Sequence, residues 1–163
     1  MAIYRAWGAP GLAALLLASS VTGFEPDRDA AARAQLIQVA SDGLAGPVLA
    51  RIERVVDGDT VDVSALIWLG QTLTVRVRIL GIDTPELRGA CAEERDLAMA
   101  AREFLRRRLE GGEVRLTAIS YDKYGGRVLA RVSDREGDIA DAMIAAGLAR
   151  AYDGGARVSW CAG

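Results

Sequence analysis

The sequence contains no histidine. That excludes Ser-His and Cys-His catalytic pairs and His-containing zinc sites, so general acid–base work falls to Asp, Glu, Lys or Tyr. It also lacks a surplus of positive charge. The chain carries 20 Lys and Arg against 22 Asp and Glu, a formal net charge of −2, with a pI near 5.3. A protein that held nucleic acid by bulk charge would be basic, so any such contact must be local, through a few placed arginines. No apolar run reaches the ~20 residues of a membrane-spanning helix. No internal repeat is visible. Cysteine is scarce, with 2 in the chain, Cys91 and Cys161.

What is present describes one folded domain. The chain has 163 residues, 51% of them hydrophobic and 26% charged, which is the balance of a globular protein and too short for two comfortable domains. The amino terminus has the pattern of a secretory signal. Arg5 supplies a positive start, Gly8 to Ala18 an apolar core, and Ser19, Ser20, Thr22 and Gly23 the small residues before a cleavage point. The expected division is a signal segment at 1–23, a linker at 24–46 and the folded domain at 47–163. An uncleaved anchor is the alternative; no cysteine follows the small residues, which argues against a lipoprotein. Export to an oxidising compartment favours pairing Cys91 with Cys161, against two unrelated buried thiols.

The linker carries a helical patch, Ala30 to Leu36, without a strong amphipathic face. Val48 to Val56 alternates as a strand, Asp57-Gly58 signals a hairpin through a glycine at positive φ, and Asp59 to Leu66 returns. Thr72 to Leu80 is a third strand. From Ala92 to Leu109 the period becomes helical, with Leu97, Ala101, Phe104, Leu105 and Leu109 on one stripe and Gly111-Gly112 as the stop. Burying Leu97, Phe104, Leu105 and Leu109 would contribute roughly 1.5–3 kcal/mol each. Glu113 to Ser120 and Arg127 to Ser133 are further strands. Asp138 caps a second helix lined by Ile139, Met143, Ile144 and Leu148. The expected class is α+β, mainly β: a five-stranded Greek-key barrel of the oligonucleotide/oligosaccharide-binding (OB) type with two packed helices.

One stretch stands apart from this pattern. Val77 to Glu86 begins as a strand, breaks at Gly81 and Pro85, and sets Arg78 inside the strand with Asp83 and Glu86 just past it. Burying charge costs several kcal/mol per ion unless the ion is paired or holds a metal, so this stretch is a candidate site. Asp57-Gly58-Asp59-Thr60 adds carboxylates at a hairpin. Asp122-Lys123-Tyr124-Gly125-Gly126-Arg127 adds a tyrosine and a second arginine. Taken singly, each acid reads as a turn-forming surface group; three such segments in order do not.

Val56 to Val61, Arg78 to Glu86 and Asp122 to Gly125, in that order with a helix between the last two, resemble the staphylococcal nuclease (thermonuclease) family from about Val48 to Tyr152. Ala145 to Ala149 adds to the likeness. The resemblance implies an OB-fold and calcium-dependent hydrolysis of phosphodiesters in DNA and RNA. Single strands are the expected preference and a monomer the expected state, and the secretory signal leads to the expectation of action in the periplasm or outside the cell, not held to a membrane after cleavage. It implies that Asp59 and Asp83, with the backbone carbonyl of Thr84, hold the calcium. Glu86 would orient or deprotonate the attacking water. Arg78 and Arg127 would grip the phosphate, and Lys123 and Tyr124 a terminal phosphate. Hard cations prefer oxygen ligands, and arginine forks onto phosphate. The competing class is a non-catalytic OB module that binds single strands or a protein partner.

Five features depart from the family pattern or stand outside it. Gly126 intervenes where the family has arginine directly after Tyr-Gly; a glycine bulge is expected to absorb it and leave Arg127, rather than Arg131, facing Asp59 and Glu86. Tyr152 stands near a base-stacking tyrosine of the family, with core packing as its alternative. The usual long final helix is missing, and a Cys91–Cys161 bridge is expected to replace it by tying the tail to the first helix. Trp160 is expected to pack, and Arg106-Arg107-Arg108 to form a solvated face.

Overall fold

The computed structural model describes residues 29–34, 43–109 and 112–161. The expected signal segment at 1–23 lies outside the described residues, as does most of the expected linker; within the latter, 29–34 are helical and exposed. Strands β2 (Val48–Val55), β3 (Thr60–Trp68) and β4 (Gln71–Ile79) form an antiparallel meander. Strand β7 (Arg127–Ser133) joins β4 in parallel, and β6 (Glu113–Tyr121) pairs antiparallel with both β7 and β2. The ring of β2, β3, β4, β7 and β6 is thereby closed, as the alternating segments predict. Inward positions carry β-branched or long aliphatic residues: Val61, Val63, Val77, Ile79, Leu116 and Val132 are all essentially inaccessible.

Two elements enlarge the barrel. A short strand β1 (Gly43–Leu44), inside the stretch read as linker, pairs with the far half of β6. Strand β5 (Ile82–Asp83) leaves the end of β4 and pairs with β8 (Arg150–Ala151) near the end of the chain. That pairing brings the tail back beside the candidate site. Between β6 and β7 the register shifts past Thr117, where Ala118 takes the left-handed region at φ 49° and donates its amide to Ala45.

Helix α1 (Ala92–Leu109) runs between the bounds its pattern predicts. It buries Ala98, Ala101, Leu105 and Leu109, whereas Leu97 and Phe104 are only half-buried and contribute less than full burial would give. Helix α2 (Ile139–Ala145) is capped by Asp138, whose carboxylate accepts from the amides of Ala140 at 2.8 Å and Asp141 at 3.3 Å. The arginine cluster divides. Arg106 and Arg107 pair with Glu103 on the helix surface. Arg108 instead reaches Asp134 and Glu136, each at 2.9 Å, and ties α1 to the turn before α2.

Cys91, just ahead of α1, is bonded to Cys161. The tail is therefore fastened to the start of the helix, as expected. The bridge spans a sequence separation of 70, and loops of that length gain most from closure in the chain-entropy model. Reduction, or Cys91→Ser with Cys161→Ser, is expected to remove about 2–4 kcal/mol of stability. The check is the denaturant midpoint with and without reductant; equal midpoints would show that the bridge does not constrain the unfolded chain.

Candidate active site

The turn between β2 and β3 presents the first acid. Asp57 Oδ1 accepts from the amide of Asp59 at 3.1 Å, and the amide of Val56 reaches the carbonyl of Thr60 at 2.9 Å. Gly58 is needed here for closeness and not for the positive φ expected of it. A Cβ would lie 3.0 Å from that of Ala101 and 3.1 Å from the side chain of Thr84. The turn thus packs tightly on both α1 and the segment after β5, and this close packing fixes Asp59 and Thr84 in relation to each other.

Asp59 is buried. Its Oδ1 accepts from Thr60 Oγ1 at 2.8 Å, and its Oδ2 meets Arg78 Nη1 at 2.5 Å. Burial pushes its carboxyl up to about 7, against the pull of Arg78 and with some help from Asp57. Arg78, also buried, reaches on through Nη2 to the carbonyl of Ile82 at 3.4 Å. The next residue, Asp83, is buried too. Trp160 Nε1 donates to its Oδ2 at 3.2 Å, while Arg157 Nε stands 3.0 Å from its Oδ1, an oxygen that accepts no hydrogen bond of good geometry. Glu86 is exposed, and Arg157 Nη1 lies 2.5 Å from its Oε1.

A cleft of about 900 Å³ collects Asp57, Asp59, Arg78, Thr84, Glu86, Lys123, Tyr124, Arg127, Tyr152 and Arg157. All the expected site residues line it except Asp83, which lines an adjoining hollow of about 300 Å³ with Trp160. Thr84, Glu86 and Arg157 border both.

Arg127 lines the same cleft as Asp59 and Glu86, but the ion pair it makes is not with either of them. Its guanidinium pairs with Asp122 and lies 5.1 Å from the centre of the Tyr124 ring. Burial would raise the Asp122 carboxyl; the bond from Arg127 and the amides of Tyr124 and Lys123 outweigh it and hold the group below its ordinary value. Nor is the extra glycine a bulge within the ladder. Gly126 sits in the turn at φ 84°, ahead of β7, and the Asp122 amide closes that turn on the carbonyl of Arg127. The turn takes up the added residue, so Ala130 and Val132 still face the core. Tyr152 donates its amide to Gly81 and its hydroxyl to Gly155 at 2.8 Å, with its ring on the cleft.

Three contributors were not foreseen. Arg157 and Trp160 meet the acids directly, and Trp160 is a donor to Asp83 where only packing was expected. Glu94, in the first turn of α1, is buried and accepts from the amides of Ala90 at 3.0 Å and Glu86 at 3.4 Å. It holds the loop that carries Glu86. A signal for the first two was available in the sequence: a bridge from Cys91 to Cys161 ties the tail that carries Arg157 and Trp160 to the segment that follows Glu86.

The residues from Arg76 to Val158 match the family model described as staphylococcal nuclease homologue, over residues 76–158. The chain belongs to the staphylococcal nuclease family. Among curated proteins, it is similar to an "uncharacterized endonuclease" of Escherichia coli, at 29% identity over 111 residues, covering 68% of this chain and 65% of the relative. It is also similar to a "probable endonuclease" of Schizosaccharomyces pombe, at 35% identity over 88 residues, covering 50% of this chain and 38% of the relative. The matched region thus spans less than two thirds of either relative.

Members of this family generally depend on a metal ion, and the residues here fit one. Asp59 and Asp83 are buried acids, and oxygen donors suit a hard divalent cation. Asp83 Oδ1 is a buried carboxylate oxygen without a hydrogen bond, and burial drives Asp59 toward its neutral form unless further positive charge stands beside it.

Proposed function

We propose that the chain is an exported phosphodiesterase that hydrolyses DNA and RNA with calcium, acting as a monomer and favouring single strands. One observation carries the reading. A single cleft gathers Asp59, Arg78, Glu86 and Arg127, acids and arginines suited to phosphodiester hydrolysis, with Arg127 alone standing one residue beyond its place in the family's pattern. The names of the relatives, both endonucleases, point the same way.

Asp59, Asp83 and the carbonyl of Thr84 would hold the calcium, which when bound polarises a phosphoryl oxygen. Glu86, exposed on the cleft, orients the attacking water and accepts its proton. Arg78 and Arg127 donate to the phosphate oxygens as negative charge builds on them. Arg78 is held for this by Asp59 and the Ile82 carbonyl, and Arg127 by Asp122. Lys123 and Tyr124, both exposed at the cleft, take a terminal phosphate, and the ring of Tyr152 lies against a base. Paired cysteines suit an oxidising compartment, which favours action in the periplasm or outside the cell, free of the membrane once the signal is removed.

The test is hydrolysis of single-stranded DNA with calcium, with a chelator, and with calcium restored. Activity is expected with calcium, to vanish with the chelator, and to return on restoring the ion. Activity that survives chelation would remove the metal-assisted route, and an oligonucleotide bound but never cleaved would favour the non-catalytic module.

A further inference from the structure

The tail after β8 meets the candidate acids through Arg157 and Trp160. It is anchored at both ends. At its start, Arg150 and Ala151 pair with Asp83 and Ile82. At its end, Cys161 is bonded to Cys91. Between these points the chain folds on itself. The Arg150 guanidinium lies 3.7 Å from the centre of the Trp160 ring and donates to the carbonyls of Val158 at 3.3 Å and Ser159 at 3.0 Å. Gly154, at φ 98°, supplies the left-handed turn that lets the strap double back.

The strap presents two side chains to Asp83, one to each oxygen. Trp160 donates to Oδ2, and Arg157 stands beside Oδ1. The same Arg157 spans to Glu86. Its side chain is 42% exposed and borders the cleft shared with Arg78 and Arg127. A guanidinium joining these two acids offsets the repulsion between them, which is also what a divalent cation would do. The two cannot both draw fully on one carboxylate oxygen.

We propose that Arg157 is a movable third arginine of the site, positioned by the Cys91–Cys161 strap. It competes with the cation for Asp83 Oδ1, and when displaced it turns into the cleft and takes a phosphate oxygen of the substrate. This rests on the nuclease reading for its second half only. The stem of Arg157 remains tethered while the guanidinium moves, so the charge is never far from the scissile group. Trp160, whose indole donates to the other oxygen, holds the carboxylate in orientation through the exchange.

Calcium binding, followed by titration calorimetry without nucleic acid, separates the two ideas. Arg157→Gln is expected to bind calcium at least about 5-fold more tightly than the unmodified protein, a change no larger than the low end of the coupling by which one bound group ordinarily alters another's affinity. Arg157→Lys, which keeps the charge, is expected to stay near the unmodified value. On single-stranded DNA, Arg157→Gln is expected to raise KM at least about 5-fold with a smaller change in kcat, and Arg157→Lys to recover part of it. Because the side chain is partly exposed, neither variant should disturb the fold. The double variant Cys91→Ser, Cys161→Ser should reproduce the tighter calcium binding while circular dichroism stays unchanged. Equal calcium affinity in the unmodified protein and Arg157→Gln, or binding by neither, would overturn the proposal. A chain that never cleaves DNA but shows the calcium difference would sink the nuclease reading and leave the strap standing.

Discussion

Glu86→Gln is expected to lower kcat on single-stranded DNA by about 10²–10⁴-fold, the range that a positioned general base contributes, with stability unchanged. Glu86 is exposed and lies outside the core, and its side-chain contact is the ion pair with Arg157. Glutamine keeps the shape and can still accept a hydrogen bond from Arg157, but it cannot take a proton from water. No neighbour is suited to replace it. The chain has no histidine. Asp59 is buried against Arg78, and Asp83 is buried between Trp160 and Arg157. The measurement is kcat with saturating calcium and DNA, beside a denaturant curve. A variant within about 10-fold of the unmodified rate would fall short of what a general base supplies and take Glu86 out of that role.

The elements of the barrel were legible because each carries a period. Val61 and Val63 alternate with polar neighbours, Ala130 and Val132 flank Arg131, and α1 shows its stripe between a loop and a pair of glycines. The elements that escaped are too short to have a period. β1, β5 and β8 are 2 residues each, and only their pairing with distant strands makes them strands. The acids and arginines of the cleft were readable from motif order. Their partners were not. Trp160 as the donor to Asp83 and Arg157 as the bridge to Glu86 arise from contacts between segments that no local pattern joins, and Asp122 holds Arg127 across a turn whose closure the motif does not state. Gly58 shows the same limit at a smaller scale. Its place in a turn was plain, but the reason no side chain fits there is Ala101 of a helix distant in sequence. Glu94 was hidden differently: a charged residue beside a helix N-terminus reads as solvated, and its burial follows from the loop that folds over it.

Removing Arg78 is expected to damage both the fold and the chemistry, and the two losses can be separated. Arg78 is buried on β4, directly opposite Thr60 in the register and one residue from the buried Asp59 that it neutralises. Breaking a buried pair by deleting one partner typically costs about 3–5 kcal/mol, because the other charge is stranded. Here the lower end applies, about 3 kcal/mol. Burial already pushes the Asp59 carboxyl up to about 7 with the arginine present, so without it the acid takes a proton and is not left as a bare charge. Arg78→Ala should therefore unfold at clearly lower denaturant and lose about 10²–10³-fold in kcat, the usual cost of one donor to developing charge. Arg78→Lys divides the effects. An ammonium keeps a positive charge beside Asp59 and restores most of the stability, but it cannot fork between the carboxylate, the Ile82 carbonyl and a phosphate, so kcat should stay low. If Arg78→Lys were as active as the unmodified protein, charge alone would suffice at this position, and the geometric role given to the guanidinium would be wrong.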